Sequence, residues 1–147
     1  YTQSLIQIGI TPKITVVDRP QYRERSDTFD FGMTTFRRGL SLSPGNEQKA
    51  YWGSEAANTE GSRNLMGVQS AAVDGLIDTM LSSESKEDFI AATRALDRVL
   101  TAGRYVIPVY QWNISRMAHA KELTYPETLP IYGDWIGWQP DVWYWEE

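Results

Sequence analysis

The 147-residue chain carries 14 Lys and Arg against 19 Asp and Glu, a net charge of -5, with 41% hydrophobic and 22% charged residues. These proportions fit one soluble globular unit with a real core, and the acidic balance opposes binding to nucleic acid or anionic membranes through counterion release. Cysteine is absent, which excludes disulfides, thiolate metal sites and a cysteine nucleophile together.

Leu5, Ile6 and Ile8 run into Gly9 and predict the last turn of a helix closed by its glycine. That pattern is already under way at Tyr1, so residues upstream are expected to have been removed, and the lack of a leader segment carries little weight. No apolar run is long enough to span a bilayer. Ile14-Thr-Val-Val17, β-branched throughout, predicts a strand ending at Asp18, and Pro20 suits the first turn of a short helix through Tyr22 and Arg25. A second strand is expected at 29–36, where Phe31, Met33 and Thr35 alternate with Asp30, Gly32 and Thr34.

Residues 37–46 include Gly39, Ser41, Ser43, Pro44 and Gly45, a composition that makes turns and exposes backbone donors. Loops that follow strands are common places for binding groups. A short aromatic helix from Glu47 to Trp52 and a polar, irregular stretch at 54–67 come next.

Two amphipathic helices follow. Val73, Leu76, Ile77, Met80 and Leu81 share one face, with Ser70 as N-cap. Ser85 and Asp88 form a capping box for a helix whose stripe is Phe89, Ala92, Leu96, Val99 and Leu100, ending at Gly103. Residues 105–110 predict a third strand, at an edge or bulge because Pro108 lacks an amide donor, with a continuation over 114–118. Beyond His119, Pro126, Pro130, Gly133, Gly137 and Pro140 interrupt regular structure. Trp135, Trp138, Trp143, Tyr144 and Trp145 crowd this tail, which cannot form a core alone and is expected to pack on another part of the protein.

Several of these stretches together resemble one family. Ile8-Gly-Ile10, the segment closing on Val17-Asp18, Tyr22 and Phe29-Asp-Phe-Gly-Met33 are similar to the opening of the C-terminal lobe of the family 5 extracellular solute-binding proteins of ABC importers. Leu40-Ser-Leu-Ser-Pro-Gly-Asn-Glu-Gln48, Tyr51-Trp52-Gly53, Ser62-Arg-Asn-Leu65 and Ala91-Ala-Thr-Arg-Ala-Leu-Asp-Arg98 resemble the subgroup for microcin C, murein and other peptides, and 105–112 resembles a strand near the end of such proteins. The resemblance implies an α/β chain that is part of a two-lobed periplasmic-binding-protein type II fold. Residues 1–118 would be the C-terminal portion of the second lobe, a sheet flanked by helices, and 119–147 an irregular tail returning to the first lobe. It further implies a periplasmic, monomeric full-length protein, made with a signal peptide. That protein takes up a peptide or peptide-like ligand without a cofactor and delivers it to a membrane permease.

Many peptide binders of this family carry a tryptophan and then an aspartate in the loop after the second strand, where the aspartate neutralises the ligand's amino terminus. Here that stretch, Phe36-Arg-Arg-Gly-Leu-Ser-Leu-Ser-Pro44, has two arginines and no carboxylate. A guanidinium fork at Arg37 or Arg38 suits a ligand carboxylate or phosphate, and strand alternation lets at most one of them face the ligand. With Phe36, Ser41 and Ser43 of the same loop these are the first candidate ligand-binding residues. Trp52, with Tyr51, either stacks on ligand groups or anchors its helix in the core. Asn46 and Asn64 either bond ligand backbone or stabilise turns, and Trp112 either walls the cleft or packs between lobes.

Catalysis is not indicated. His119, the single histidine, stands without a patterned nucleophile or acid and reads as a surface or hinge residue, and no carboxylate pair or metal-ligand cluster is evident. The rival readings are a glycan-binding module that stacks sugars on the C-terminal tryptophans and an interaction module that docks the same tail on a protein.

Overall fold

The computed structural model describes residues 1–39, 43–111, 118–128 and 142–146. Two serines start the helices that carry the core. Ser70 Oγ accepts the Val73 amide at 3.4 Å and opens α4 (Ala71–Leu81). Ser85 Oγ accepts the Asp88 amide at 3.0 Å while its hydroxyl donates to the Asp88 carboxylate at 2.8 Å, opening α5 (Lys86–Gly103). These caps satisfy amides that the first helical turn leaves without intrahelical partners.

The apolar stripes then do what their spacing predicts. Val73, Ile77 and Met80 of α4 are buried with Ala92 and Leu96 of α5, and Leu76, Leu81, Phe89, Val99 and Leu100 pack partly buried around them. Each fully buried aliphatic side chain stabilises the pair by about 1.5–3 kcal/mol. The short helix α3 (Glu47–Trp52) adds Tyr51 and Trp52 to the same cluster, and Val68 closes it. Gly53 caps α3 in an extended conformation, at a position where a Cβ would lie 2.6 Å from the Lys49 carbonyl oxygen, so only glycine fits.

Past α3 the chain is tied to the start of α4. The Ser54 amide donates to Asp74 at 2.9 Å and its hydroxyl to the other carboxylate oxygen at 2.6 Å, while Ser54 Oγ accepts the Ser70 amide at 3.0 Å. Lys49 and Asp78 pair across α3 and α4 at 2.8 Å.

Before this core stand α1 (Thr2–Gln7), followed by Gly9 at φ +83°, and α2 (Arg19–Asp27), capped by Asp18, which accepts the Gln21 amide at 2.9 Å. In the tail, β1 (Leu123–Thr124) pairs antiparallel with β2 (Tyr144–Trp145), Leu123 opposite Trp145 and Thr124 opposite Tyr144. Sequence periodicity did not anticipate this contact. His119 and Trp143 meet edge to face at 5.0 Å between centroids, with Tyr125 at 4.6 Å from Trp143.

The three expected strands are corrected. Residues 14–17, 29–36 and 105–110 are not strands, and among the described residues β-structure is confined to the tail pair. A strand exists only through hydrogen bonds to a neighbour, and among the described residues none of these segments pairs with another strand. Val17, Phe29 and Phe31 are partly buried, whereas Val16 at 89% and Val109 at 81% exposure stay in solvent. The segment after α2 is held instead by side chains: Tyr22 Oη meets Thr34 Oγ1 at 2.9 Å and donates to the Thr35 carbonyl, and Arg25 pairs with Asp30 at 2.8 Å. The described residues thus combine helices with a small two-stranded sheet, compatible with an α/β class. The helix α5 ends at Gly103 as expected, and the residue after it, Arg104, takes the left-handed φ of 51°. Residues 114–117 of the expected strand continuation lie outside the described residues. No helix among the described residues is long and apolar enough to cross a membrane.

Candidate ligand-binding site

The turn after the short 3-10 helix Ala56–Asn58 is organised by Asn64, which is fully buried. Its Nδ2 donates to the carbonyls of Gly53 and Val68, each at 2.9 Å, and its Oδ1 accepts the Val68 amide at 2.9 Å. Both amide hydrogens and the oxygen are used, so the geometry corresponds to the turn-stabilising alternative, and Asn64 offers no atom to a ligand from solvent. One of those bonds fastens the turn to the C-cap of α3. Arg63 is thereby carried to the end of the Tyr51 ring, where Nη1 donates to Tyr51 Oη at 3.2 Å.

Arg38 reaches the same ring from the other direction. Its guanidinium carbon lies over Tyr51, 3.5 Å from the ring centroid, and 5.1 Å from the Trp52 centroid. The Arg63 carbon is 5.7 Å from the Tyr51 centroid. A guanidinium over an aromatic face gains electrostatically from the ring quadrupole. Burial pulls the Arg38 pKa below its ordinary value, against the opposing pull of Tyr51 and Glu47. Its Nε is buried and has no hydrogen-bond partner.

Glu47, at the first turn of α3, accepts the Gly45 amide at 2.9 Å and the Gln48 side-chain amide at 3.0 Å. Burial raises its pKa, but the Gly45 and Glu47 amides, Gln48 and the charge of Arg38 together outweigh this and hold the carboxyl below its ordinary value. Glu47 thus braces the turn at Gly45 that leads into α3, a role its sequence context did not single out.

The remaining candidates divide by exposure. Phe36, Arg37, Ser43 and Asn46 are exposed, and Asn46 precedes α3 without a side-chain cap bond. Trp52 is buried in the core cluster, the anchoring alternative. Ser41 and Trp112 lie outside the described residues. The structure therefore gathers Arg38, Tyr51 and Trp52, with the exposed Arg37 next to Arg38 in the chain, and adds Arg63. Arg63 is 25 positions from Arg38, and no spacing rule relates them.

A surface cavity of about 460 Å³ lies elsewhere, lined by Lys49, Ser54, Glu55, Thr59, Asp74 and Asp78. Two of its carboxylates are engaged, Asp74 by Ser54 and Asp78 by Lys49. Among the described residues no group of three or more His, Asp and Glu side chains is placed to hold a metal ion.

Comparison with known proteins finds relatives named as peptide-binding, putative binding and peptidoglycan-binding proteins, consistent with a C-terminal part of the family 5 solute-binding proteins that the motifs resemble. Among its relatives it is 45% identical over 144 residues to the "uncharacterized protein y4wM" of Sinorhizobium fredii and 43% identical over 144 residues to the "probable peptide-binding protein YejA" of Agrobacterium fabrum, in each case over 98% of this chain. It is 41% identical over 134 residues, 91% of this chain, to the "peptidoglycan-binding protein YepA" of Agrobacterium fabrum. The matched stretches are 21%, 23% and 22% of those proteins, so the chain spans about a fifth of the length of the curated relatives it matches. No family model matches it.

Proposed function

We propose that the chain is the C-terminal portion of the second ligand-binding lobe, at 1–118, and the crossover and returning tail, at 119–147, of a substrate-binding component of an ABC importer. It captures peptides or peptide-like solutes, murein peptides and microcin C-like conjugates included, in the bacterial periplasm. The two lobes close on the solute and the closed form presents it to the membrane permease, with the receptor monomeric and no reaction catalysed. Closure needs contacts that form only when both lobes reach the solute.

The observation that carries this reading is Arg38 docked on the buried Tyr51–Trp52 pair. That docking fixes a polar, arginine-bearing edge on a rigid helical base and leaves Phe36, Arg37, Ser43 and Asn46 in solvent beside it. The printed names of two relatives, for peptide binding and peptidoglycan binding, support a solute of this kind. The exposed β-branched segments at 14–17 and 105–110 support the incomplete lobe, since such segments are stable as strands once a neighbouring strand supplies donors and acceptors.

The glycan-binding reading rests on the exposed Tyr144 and Trp145. Titrating the full-length protein with peptide pools, muropeptides and neutral oligosaccharides, followed by tryptophan fluorescence, separates the two. Saturable response to the peptide-containing solutes supports the proposal, and response to sugars alone refutes it.

A further inference from the structure

We infer that the tail is an anionic, aromatic-faced plug for a basic groove in the polypeptide that precedes this chain in the whole protein. This rests on the reading of 119–147 as a tail returning to the first lobe and names the chemistry of the surface that receives it.

Charge is unevenly placed along the chain. Positions 119–147 hold six of the 19 acidic residues and one of the 14 basic ones, Lys121, so the tail carries the whole net charge of -5 and the 118 residues before it are neutral. The same stretch holds four of the six tryptophans. Such a segment does not make a core alone, because its aromatics need a cover and its carboxylates repel one another.

The β1–β2 pair sorts these two properties onto opposite faces. Its antiparallel register sets Glu122 opposite Glu146, whose amide donates to the Glu122 carbonyl at 2.9 Å. Alternation along each strand then places Glu122, Thr124, Tyr144 and Glu146 on one face and Leu123, Tyr125, Trp143 and Trp145 on the other. Thr124 Oγ1 donates to Glu146 at 3.4 Å on the first face, and the Tyr125 and Trp143 rings meet at 4.6 Å on the second. Like charges directly opposite weaken a ladder, and so short a two-stranded ribbon is not stable by itself. Yet among the described residues neither strand packs on a helix of this chain, and Glu122, Glu127 and Glu146 have no ion pair. Tyr144 and Trp145 are 53% and 65% exposed.

The cover lies outside this chain. The relatives match it over only 21%, 23% and 22% of their own length, so a protein of their size has ample chain to supply one. Tyr144 and Trp145 project from opposite faces of the ribbon, which makes the receiving surface a groove. Its wall against Glu122 and Glu146 carries lysine or arginine, which offsets the opposed carboxylates, and its wall against Leu123 and Trp145 is apolar. The neutral body at 1–118 has no surplus of cations to serve in its place.

The test uses the full-length protein and chymotrypsin, which cuts after exposed aromatic residues, with cleavage in the tail followed by mass spectrometry and folding checked by circular dichroism. At about 50 mM salt the Glu122→Gln, Glu146→Gln variant is expected to lose its tail at least about fivefold faster than the wild type. The difference is expected to fade by about 1 M salt, where the Debye length is about 3 Å. Glu60→Gln, Glu84→Gln removes the same charge from exposed positions of the body and is expected to leave the rate unchanged. Neutralising two opposed carboxylates strengthens an undocked ribbon, so equal or slower cleavage of the Glu122, Glu146 variant overturns the inference, as does a difference that salt leaves untouched; in either case a protected wild-type tail leaves the returning-tail reading intact. A wild-type tail cut as fast as in the unfolded protein overturns both together. Protection that grows with protein concentration assigns the ribbon to a second copy and also overturns the inference.

Discussion

The guanidinium carbon of Arg38 lies 3.5 Å from the centroid of the Tyr51 ring, so the chain at Arg38, beside the candidates Phe36 and Arg37, is pinned to the helical core by a cation over an aromatic face. Such a contact contributes about 1 kcal/mol, more when desolvated. Arg38→Ala is therefore expected to lower stability by about 1–2 kcal/mol, through lost packing of the side-chain stem as well as lost charge. Arg38→Lys, which keeps the charge but not the planar fork, should recover less than half of it. Urea unfolding of the two variants measures this, and full recovery by lysine would show that charge alone holds the loop.

Asn64 links the turn at 62–68 to the end of α3 through bonds that are all buried. Asn64→Ala leaves two carbonyls and one amide without partners, at a cost of about 3 kcal/mol. Asn64→Asp is expected to be worse, since it sets an acceptor against the Gly53 and Val68 carbonyls. Thermal unfolding should rank wild type above alanine and alanine above aspartate.

The α4–α5 pair supplies most of the buried apolar surface. Leu96→Ala, at a position 3% exposed, is expected to cost about 2–5 kcal/mol, the range set by how far the cavity collapses. Ser85→Ala, which removes both halves of the capping box, should cost about 1 kcal/mol. Chemical denaturation distinguishes the two, and a larger effect at Ser85 than at Leu96 would contradict this division.

Glu47 has its pKa held below the ordinary value, burial being outweighed by the amides of Gly45 and Glu47, by Gln48 and by Arg38. A carboxyl with a depressed folded-state pKa contributes stability that is present above its unfolded pKa and is lost as pH falls through the folded one. The stability difference between wild type and Glu47→Gln is thus expected to be largest near neutrality and to shrink in acid. Melting temperatures of both proteins across that range give the comparison, and a gap independent of pH would assign the effect to packing.

Local rules were enough where local interactions decide the structure. Ser70, Ser85 and Asp88 cap their helices as their spacing predicts, and the stripe from Val73 to Met80 meets Ala92 and Leu96 in one core. Strand propensity at 14–17 and 105–110 was legible, but pairing depends on a neighbour that no local pattern specifies. The site was legible in part. Arg38 stood out because two arginines replace an expected carboxylate, whereas Arg63 gave no signal. Its place is set by Asn64 folding a distant turn onto Gly53, a relation that exists only in three dimensions.

The central claim, that the full-length protein captures peptide-like solutes through the edge built on Arg38 and Tyr51, is tested most directly by one titration. Wild type and an Arg37→Ala, Arg38→Ala double variant are titrated with the same peptide and muropeptide pools, followed by calorimetry. The account predicts saturable binding by the wild type and a loss of at least about tenfold in the double variant, with the folded state checked by circular dichroism. Undiminished affinity in the double variant would contradict it.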